Sequence, residues 1–257
     1  GCYADLEAAD LVVLVGSNSA WCHPVLYQRL AAAREARGTR IVVIDPRRTA
    51  SCDIADLHLA LRPGSDVAIF ARLLAHLADS GACDPAWLRD HSTGFAAALA
   101  AARETAPSLA AAAVLADVPP RDLALFCDRF AATERVVTLY SQGVNQSSAG
   151  TDKVNAILNC HLATGRIGRP GMGPLSLTGQ PNAMGGREVG GLANQLAAHM
   201  SFAQPDDLDR VRRFWNAPRL ATRPGLKAVD LFDAVLDGRV RALWVLGTNP
   251  ADSMPRA

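Results

Sequence analysis

LVVLVGSNSAW (residues 11–21) opens with five apolar residues and stops at a glycine followed by small polar residues. An uninterrupted run of Leu and Val reads as a strand buried on both faces, with Gly16 starting the loop that leaves it. HPVLYQRLAAAREARG (23–38) follows as a helix, with Pro24 in its first turn and Gly38 after its last. RIVVIDPRRT (40–49) repeats the pattern of apolar run and polar exit. DLHLALRPGSD (56–66) alternates like a short strand and ends in a loop, and SDVAIFARLLAHLADSG (65–81) reads as a helix capped by Ser65. Strand, helix and strand at this spacing predict an α/β fold around a parallel sheet.

Further along, residues 82–135 read as mostly helical, including PPRDLALFCDRFAATE (119–134) with its periodic apolar face. RVVTLYSQG (135–143) is another strand, and TDKVNAILNCHLATG (151–165) a helix closed by Gly165. The texture then changes. Residues 165–191, GRIGRPGMGPLSLTGQPNAMGGREVGG, are rich in Gly and Pro, and a span this long is either disordered or held against a ligand, the reading its recurring polar groups favour. Gln180, Asn182, Arg187 and Glu188 are its polar groups. Beyond it come an amphipathic helix, AVDLFDAVLDG (228–238), and a closing strand and loop, RALWVLGTNPADSMP (241–255). The expected division is a first domain over 1–150, and over 151–257 the Gly/Pro-rich loop region with part of a second α/β domain.

Apolar residues make up 49% and charged residues 20% of the 257, with a formal net charge of +1, which gives no basis for nucleic-acid binding. No apolar run approaches the roughly 18 residues that span a bilayer, and no membrane association is expected. No signal peptide is visible. The chain begins GCYADLEAAD without Met and is expected to be an internal piece of a longer protein. Its six cysteines contain no CxxC pair, so no iron–sulfur or zinc loop can be written from them. Cys127 and Cys160 sit in apolar helical patterns and read as core.

Three strand exits share one character: LVGSNSAWCHP (14–24), VIDPRR (43–48) and VLGTNPADS (245–253). In a parallel sheet such loops border one crevice beyond the carboxyl ends of the strands. There Gly16 allows close backbone approach to a phosphate, Ser17, Asn18 and helix amides can donate to it, and Asp45 can accept from a sugar hydroxyl or base N–H. Any one of these loops alone reads as an ordinary turn. GxGxxG and the Walker motif are absent, which disfavours a conventional NAD site or P-loop and points to a different nucleotide. His23 can touch a ligand or fill a turn; His58 reads as structural. The remaining histidines lack metal spacing, and no metal ligand is assigned. A nucleophile elbow is absent as well.

The stretches GSNSAWCHPVLYQR (16–29), VIDPRRTASCDIADLHLALRPGSDVAIF (43–70), YSQGVNQSSAGTDKVNAILNCHLATGRIGRPGMGPLSLTGQPNAMGGREVGG (140–191) and ALWVLGTNPADSMP (242–255) occur here in a known order. Together they resemble the bis-molybdopterin guanine dinucleotide oxidoreductases, nearest to the assimilatory nitrate reductase branch, over essentially the whole chain. The resemblance implies a three-layer αβα, Rossmann-like domain of the formate dehydrogenase and DMSO reductase type. It implies two guanine dinucleotide cofactors with molybdenum in the complete enzyme, and a 4Fe-4S cluster outside this chain. Nitrate would be reduced to nitrite by oxygen-atom transfer in the cytoplasm, with electrons from ferredoxin, flavodoxin or a nicotinamide-linked reductase. Alternatives are another member, such as a formate dehydrogenase, or an inert cofactor-binding scaffold. The isolated chain is expected to be inactive and without cofactor.

Residue roles follow from the same resemblance. Gly16, Ser17, Asn18, His23, Asp45, Pro46 and Arg47 would line one dinucleotide arm, completed by Gly64 and by Asp66 accepting from guanine. Gln142, Gly143, Asn145 and Gln146 would lie near pterin and metal. Gln180 and Arg187 would face nitrate, a planar anion that suits a guanidinium fork. Met184 and Gly185 belong to the same loop. Gly247, Thr248, Asn249 and Ser253 would begin the second nucleotide site. The molybdenum ligand is expected upstream of the chain, with Cys2 no substitute for it. The periplasmic members carry Met where this chain has Gln142 and a loop one residue longer, and both departures favour the assimilatory branch.

Overall fold

The computed structural model describes residues 1–179 and 182–254. They fall into two compact units, Gly1–Gly179 and Gln180–Ala257. In the first, β1 (Leu11–Val15), β2 (Arg40–Ile44), β3 (Leu57–Leu59), β4 (Val136–Tyr140) and β5 (Gly173–Ser176) form one sheet in the order β3-β2-β1-β4-β5. Every pairing is parallel, with Leu11 opposite Arg40 on one side and Val136 on the other.

The all-apolar strands are explained by cover on both faces. Val13, Val15, Val42 and Ile44 pack with Phe70, Leu73, Phe126 and Ile157 on one side. Val12, Leu14, Ile41 and Val43 pack with Leu6, Leu30 and Leu139 on the other. Alternate side chains of a strand point to opposite faces, so a run without polar interruptions fits only the middle layer of three. Each such Leu, Val or Phe contributes roughly 1.5–3 kcal/mol when fully buried.

Between β3 and β4 the chain runs through helices Asp66–Asp79, Pro85–His91, Phe95–Thr105, Leu109–Ala116 and Pro120–Ala132. Asp84 accepts from the Trp87 amide at 2.9 Å and Ser108 from that of Ala111 at 3.1 Å, giving two of them side-chain caps. Ser65 occupies the cap position of the 66–79 helix, but its hydroxyl turns back to donate to the Arg62 carbonyl at 2.6 Å instead of capping. Cys127 and Cys160 are core residues; burial pushes the Cys127 thiol up to about 12 and that of Cys160 well above its usual range.

Helix Gly150–Ala163 closes over β4 through a buried polar cluster. His161 Nε2 lies 2.8 Å from Thr138 Oγ1, and its ring meets the edge of Phe130. Arg166 lays its guanidinium over the same Phe130, 5.0 Å from the ring centre, and donates to the carbonyls of Thr133 and Glu134.

Three features differ from the sequence reading. β5 lies inside the Gly/Pro-rich span, where no strand was expected; its four residues pair with β4 through backbone groups that the composition does not reveal. For the same reason the first unit continues past 150 to Gly179, taking in the 150–163 helix and β5. The expected strand at 241–247 does not form: residues 241–249 are exposed, with Trp244 84% exposed. A strand needs a hydrogen-bonded neighbour, and the described residues of the second unit contain no other strand to pair with it. That unit comprises helices Ala183–Glu188, Pro205–Phe214 and Ala228–Leu236 with a 3₁₀ turn at Ala197–His199 and a short helical turn at Pro250–Ser253. Among the described residues no helix is long and apolar enough to cross a membrane.

Candidate functional site

The strand order places the switch in winding direction between β1 and β4: from β1 the chain goes out to β2 and β3, then returns to the other side for β4 and β5. Helices on opposite faces leave a gap beyond the strand ends at such a point. A crevice of about 600 Å³ opens there, within the roughly 300–1,000 Å³ usual for small-molecule sites. Gly16 and Asn18 line it from the β1 exit, Asp45, Pro46 and Arg47 from β2, Gly64 and Asp66 from the loop after β3, and Gln142, Gly143 and Gln146 from β4. Ten residues singled out in the sequence therefore share one cavity.

The β1 and β4 exits touch backbone to backbone. Gly16 adopts φ +53°, and its carbonyl accepts from the Gly143 amide at 3.0 Å. A Cβ on Gly16 would lie 2.8 Å from Gly143 Cα, and one on Gly143 would lie 2.6 Å from Gly16 Cα. Gly16 was expected to admit a phosphate; what it demonstrably admits is Gly143, and this contact fixes the floor of the crevice.

Other contacts brace the walls. Ser51, fully buried, donates to Asn18 Oδ1 at 3.2 Å and accepts from the Ala20 amide at 3.0 Å. That bond uses the Asn18 carbonyl and leaves its NH₂ to donate elsewhere. Asp45 accepts from the Arg47 amide at 2.9 Å, shaping the turn that exposes Arg47. Its carbonyl oxygen receives His58 Nε2 at 2.9 Å; a carbonyl only accepts, so His58 carries its proton there and has the structural role expected of it. Ser141 donates to the Leu177 carbonyl at 2.8 Å, joining the β4 and β5 exits.

Three of the expected residues do not line the crevice. Ser17 is buried, its hydroxyl 2.9 Å from that of Ser19 inside the loop. Asn145 donates to Ser176 Oγ at 3.4 Å. His23 donates from Nε2 to the Thr178 carbonyl at 2.8 Å, which leaves Nδ1 as a buried acceptor without a protein partner. Cys2 is exposed and its amide donates to Asp5 at 2.6 Å, away from the crevice.

Sequence reasoning missed Lys153. Its ammonium lies 2.7 Å from Asp66 Oδ2, with the two side chains 5% and 8% exposed, and both line the crevice. The signal was present: Lys153 shares the buried stripe of its helix with Ile157, Cys160 and His161.

The second unit holds the other candidates. Gln180 lies outside the described residues. Arg187 is the exposed penultimate residue of the 183–188 helix, its carbonyl accepting from Gln195 Nε2 at 2.9 Å. The neighbouring Glu188 pairs with His199 at 2.8 Å. Met184 is 76% exposed. Gly185 sits against Asn182, since a Cβ there would lie 2.3 Å from Asn182 Oδ1. Gly247 adopts φ +63°, Asn249 donates to Asp252 at 2.7 Å and Ser253 to the Asn249 carbonyl at 3.0 Å, so residues 247–253 form a self-contained polar turn that includes Thr248.

The lining has the chemistry a phosphorylated nucleotide would need: a glycine floor, an amide donor at Asn18, a guanidinium at Arg47 and a buried carboxylate at Asp66. Among the described residues no group of three His, Cys, Asp or Glu side chains is placed to hold a metal ion.

Residues 2–256 match the molybdopterin oxidoreductase family model. The chain is 56% identical over 254 residues to a nitrate reductase of Klebsiella oxytoca, covering 98% of this chain and 28% of that protein. It is 49% identical over 257 residues to a nitrate reductase of Shewanella frigidimarina, covering 100% of this chain and 27% of that protein. The chain thus spans little more than a quarter of the length of these relatives. In fold it resembles acetylene hydratase from Pelobacter acetylenicus, with a TM-score of 0.52 and 20% identity over 62% of this chain and 23% of that one. With a family match across nearly its whole length, on a parallel sheet that opens a crevice at its switch point, this chain belongs to the molybdopterin oxidoreductase family.

Proposed function

We propose that this chain is the central part of a molybdenum-dependent nitrate reductase and supplies the cradle for one guanine dinucleotide arm of its cofactor. The observation that carries the reading is the crevice at the β1–β4 switch point, where ten candidate residues meet. The nitrate reductases at 56% and 49% identity support the substrate. Two molybdopterin guanine dinucleotides would hold molybdenum, which when bound supplies two-electron oxygen-atom transfer chemistry.

The chain's own residues bind and orient. Arg47 and the Asn18 amide neutralise and hold phosphate, Asp45 accepts from the ribose or base, and Asp66 reads the guanine N–H edge. Gln142, Gly143 and Gln146 border the pterin end. Met184 and Gly185, in the 183–188 helix, are further proposed cofactor contacts. Arg187 and Gln180 face nitrate: the guanidinium fork matches two oxygens of the planar anion and compensates its charge. Gly247, Thr248, Asn249 and Ser253 begin the second arm's site. A 4Fe-4S cluster and the metal's protein ligand would belong to parts of the enzyme outside this chain. Gln142 and the short loop before Arg187 favour the assimilatory branch, with a cytoplasmic enzyme fed by ferredoxin, flavodoxin or a nicotinamide-linked reductase.

The test is turnover by the complete enzyme with reduced viologen, offering nitrate, dimethyl sulfoxide and trimethylamine N-oxide separately, and formate with an electron acceptor. Nitrate turnover alone is expected; turnover of another substrate with nitrate inert overturns the assignment. Arg187→Ala is expected to lower kcat/KM for nitrate at least about tenfold with molybdenum content unchanged. Unaltered nitrate kinetics would remove Arg187 from the site.

A further inference from the structure

The Lys153–Asp66 pair is costly where it stands. Both side chains are more than nine-tenths buried, and burying either charge alone is strongly unfavourable. Lys153 also lies in the first turn of the 150–163 helix, where the positive end of the helix dipole disfavours a cation. Apolar residues at this position would serve the stripe it shares with Ile157 and Cys160 at less cost. A local rule broken at the wall of a ligand crevice marks a site where chemistry, not packing, selects the residue.

We propose that Lys153 is a positioning residue that fixes Asp66, as the acceptor-only carboxylate, against the guanine base. This rests on the reading of Asp66 as the base-recognising group. The ammonium holds Oδ2 at 2.7 Å and compensates its charge, while the carboxylate keeps lone pairs for N–H donors in the crevice. Guanine presents two donors, N1–H and the 2-amino group, on the edge where adenine presents the acceptor N1; an ionised carboxylate therefore selects guanine and rejects adenine. Without Lys153 the carboxylate loses the partner that fixes its orientation in the crevice, and with it that discrimination.

The test is equilibrium binding of GDP and ADP to the full-length protein prepared without its cofactor. Wild-type protein is expected to prefer GDP. Lys153→Met is expected to reduce the GDP-to-ADP affinity ratio at least about tenfold with overall secondary structure retained, and Lys153→Arg to recover most of it. Should Lys153→Met fail to fold, Lys153→Gln decides in its place, since it keeps a donor and removes the charge. A wild-type protein without GDP preference overturns the reading of Asp66 and this inference with it. A clear wild-type preference that survives unchanged in the folded Met or Gln variant overturns the role of Lys153 alone.

Discussion

Gly143 and Gly16 are glycines for different reasons. Gly16 needs both its positive φ and the absence of Cβ, whereas Gly143 has an ordinary φ and lacks Cβ only because Gly16 lies against it. Gly143→Ala thus tests contact alone: an atom 2.6 Å from backbone must push two strand exits apart. Overpacking of this kind costs roughly 1–3 kcal/mol, and chemical denaturation of the variant should show a loss in that range. Stability equal to wild type would mean that the exits are free to separate. His161 sets a second residue-scale expectation. Burial, aided by the charge of Arg166, pushes its pKa down to about 3 from an ordinary 6.5. The folded protein then keeps the imidazole neutral where the unfolded chain protonates it. Its full contribution is present above pH 6.5 and is lost as pH falls toward 3, by up to about 1.4 kcal/mol per unit. His161→Phe should flatten that part of the stability–pH curve; an acid slope identical to wild type would show that other groups cause it.

At the scale of elements, the first four strands were legible because each is an unbroken or alternating apolar run bounded by turn residues. β5 was not, because GPLS carries no such pattern; its place is set by the Leu177 amide donating to the Tyr140 carbonyl and by Ser141 donating to the Leu177 carbonyl. The opposite error occurred at 241–247, where LWVLG has a strand's composition but the described residues of its own unit offer no strand to pair with. Ten crevice residues were legible through the strand exits and the family resemblance. The crevice-facing roles of Ser17, His23 and Asn145 were not confirmed, since side-chain direction within a loop depends on hydrogen bonds that sequence spacing does not carry. Lys153 was overlooked because a lysine in a helix is ordinarily a solvated one. These differences predict an order of amide hydrogen exchange in the 257-residue chain. β1 and β4, paired on both sides and buried, should exchange slowest; residues 241–247 should exchange within the earliest time points. Protection of 241–247 comparable to β4 would sink the account of that segment.

For the molecule as a whole, the question is how much of a cofactor site can be held by a chain that spans about a quarter of its relatives' length. The chain matches 28% of its Klebsiella relative's length. Its first unit brings the wall proposed for one nucleotide together at one crevice: the Gly16–Gly143 floor, Asn18, Arg47 and the buried Asp66–Lys153 pair. The residues proposed for nitrate and for the second arm belong to the second unit, where 241–249, Met184 and Arg187 are exposed. Ordering such groups around a ligand costs entropy that only further contacts offset. The isolated chain is therefore expected to bind GDP weakly, through the first unit, and to hold no stoichiometric molybdenum or pterin when expressed beside an active cofactor pathway. Elemental analysis and pterin fluorescence of the purified chain and of the full-length protein make the comparison. Full cofactor occupancy in the isolated chain would overturn this expectation, because the contacts missing from it would then not be needed to hold the cofactor.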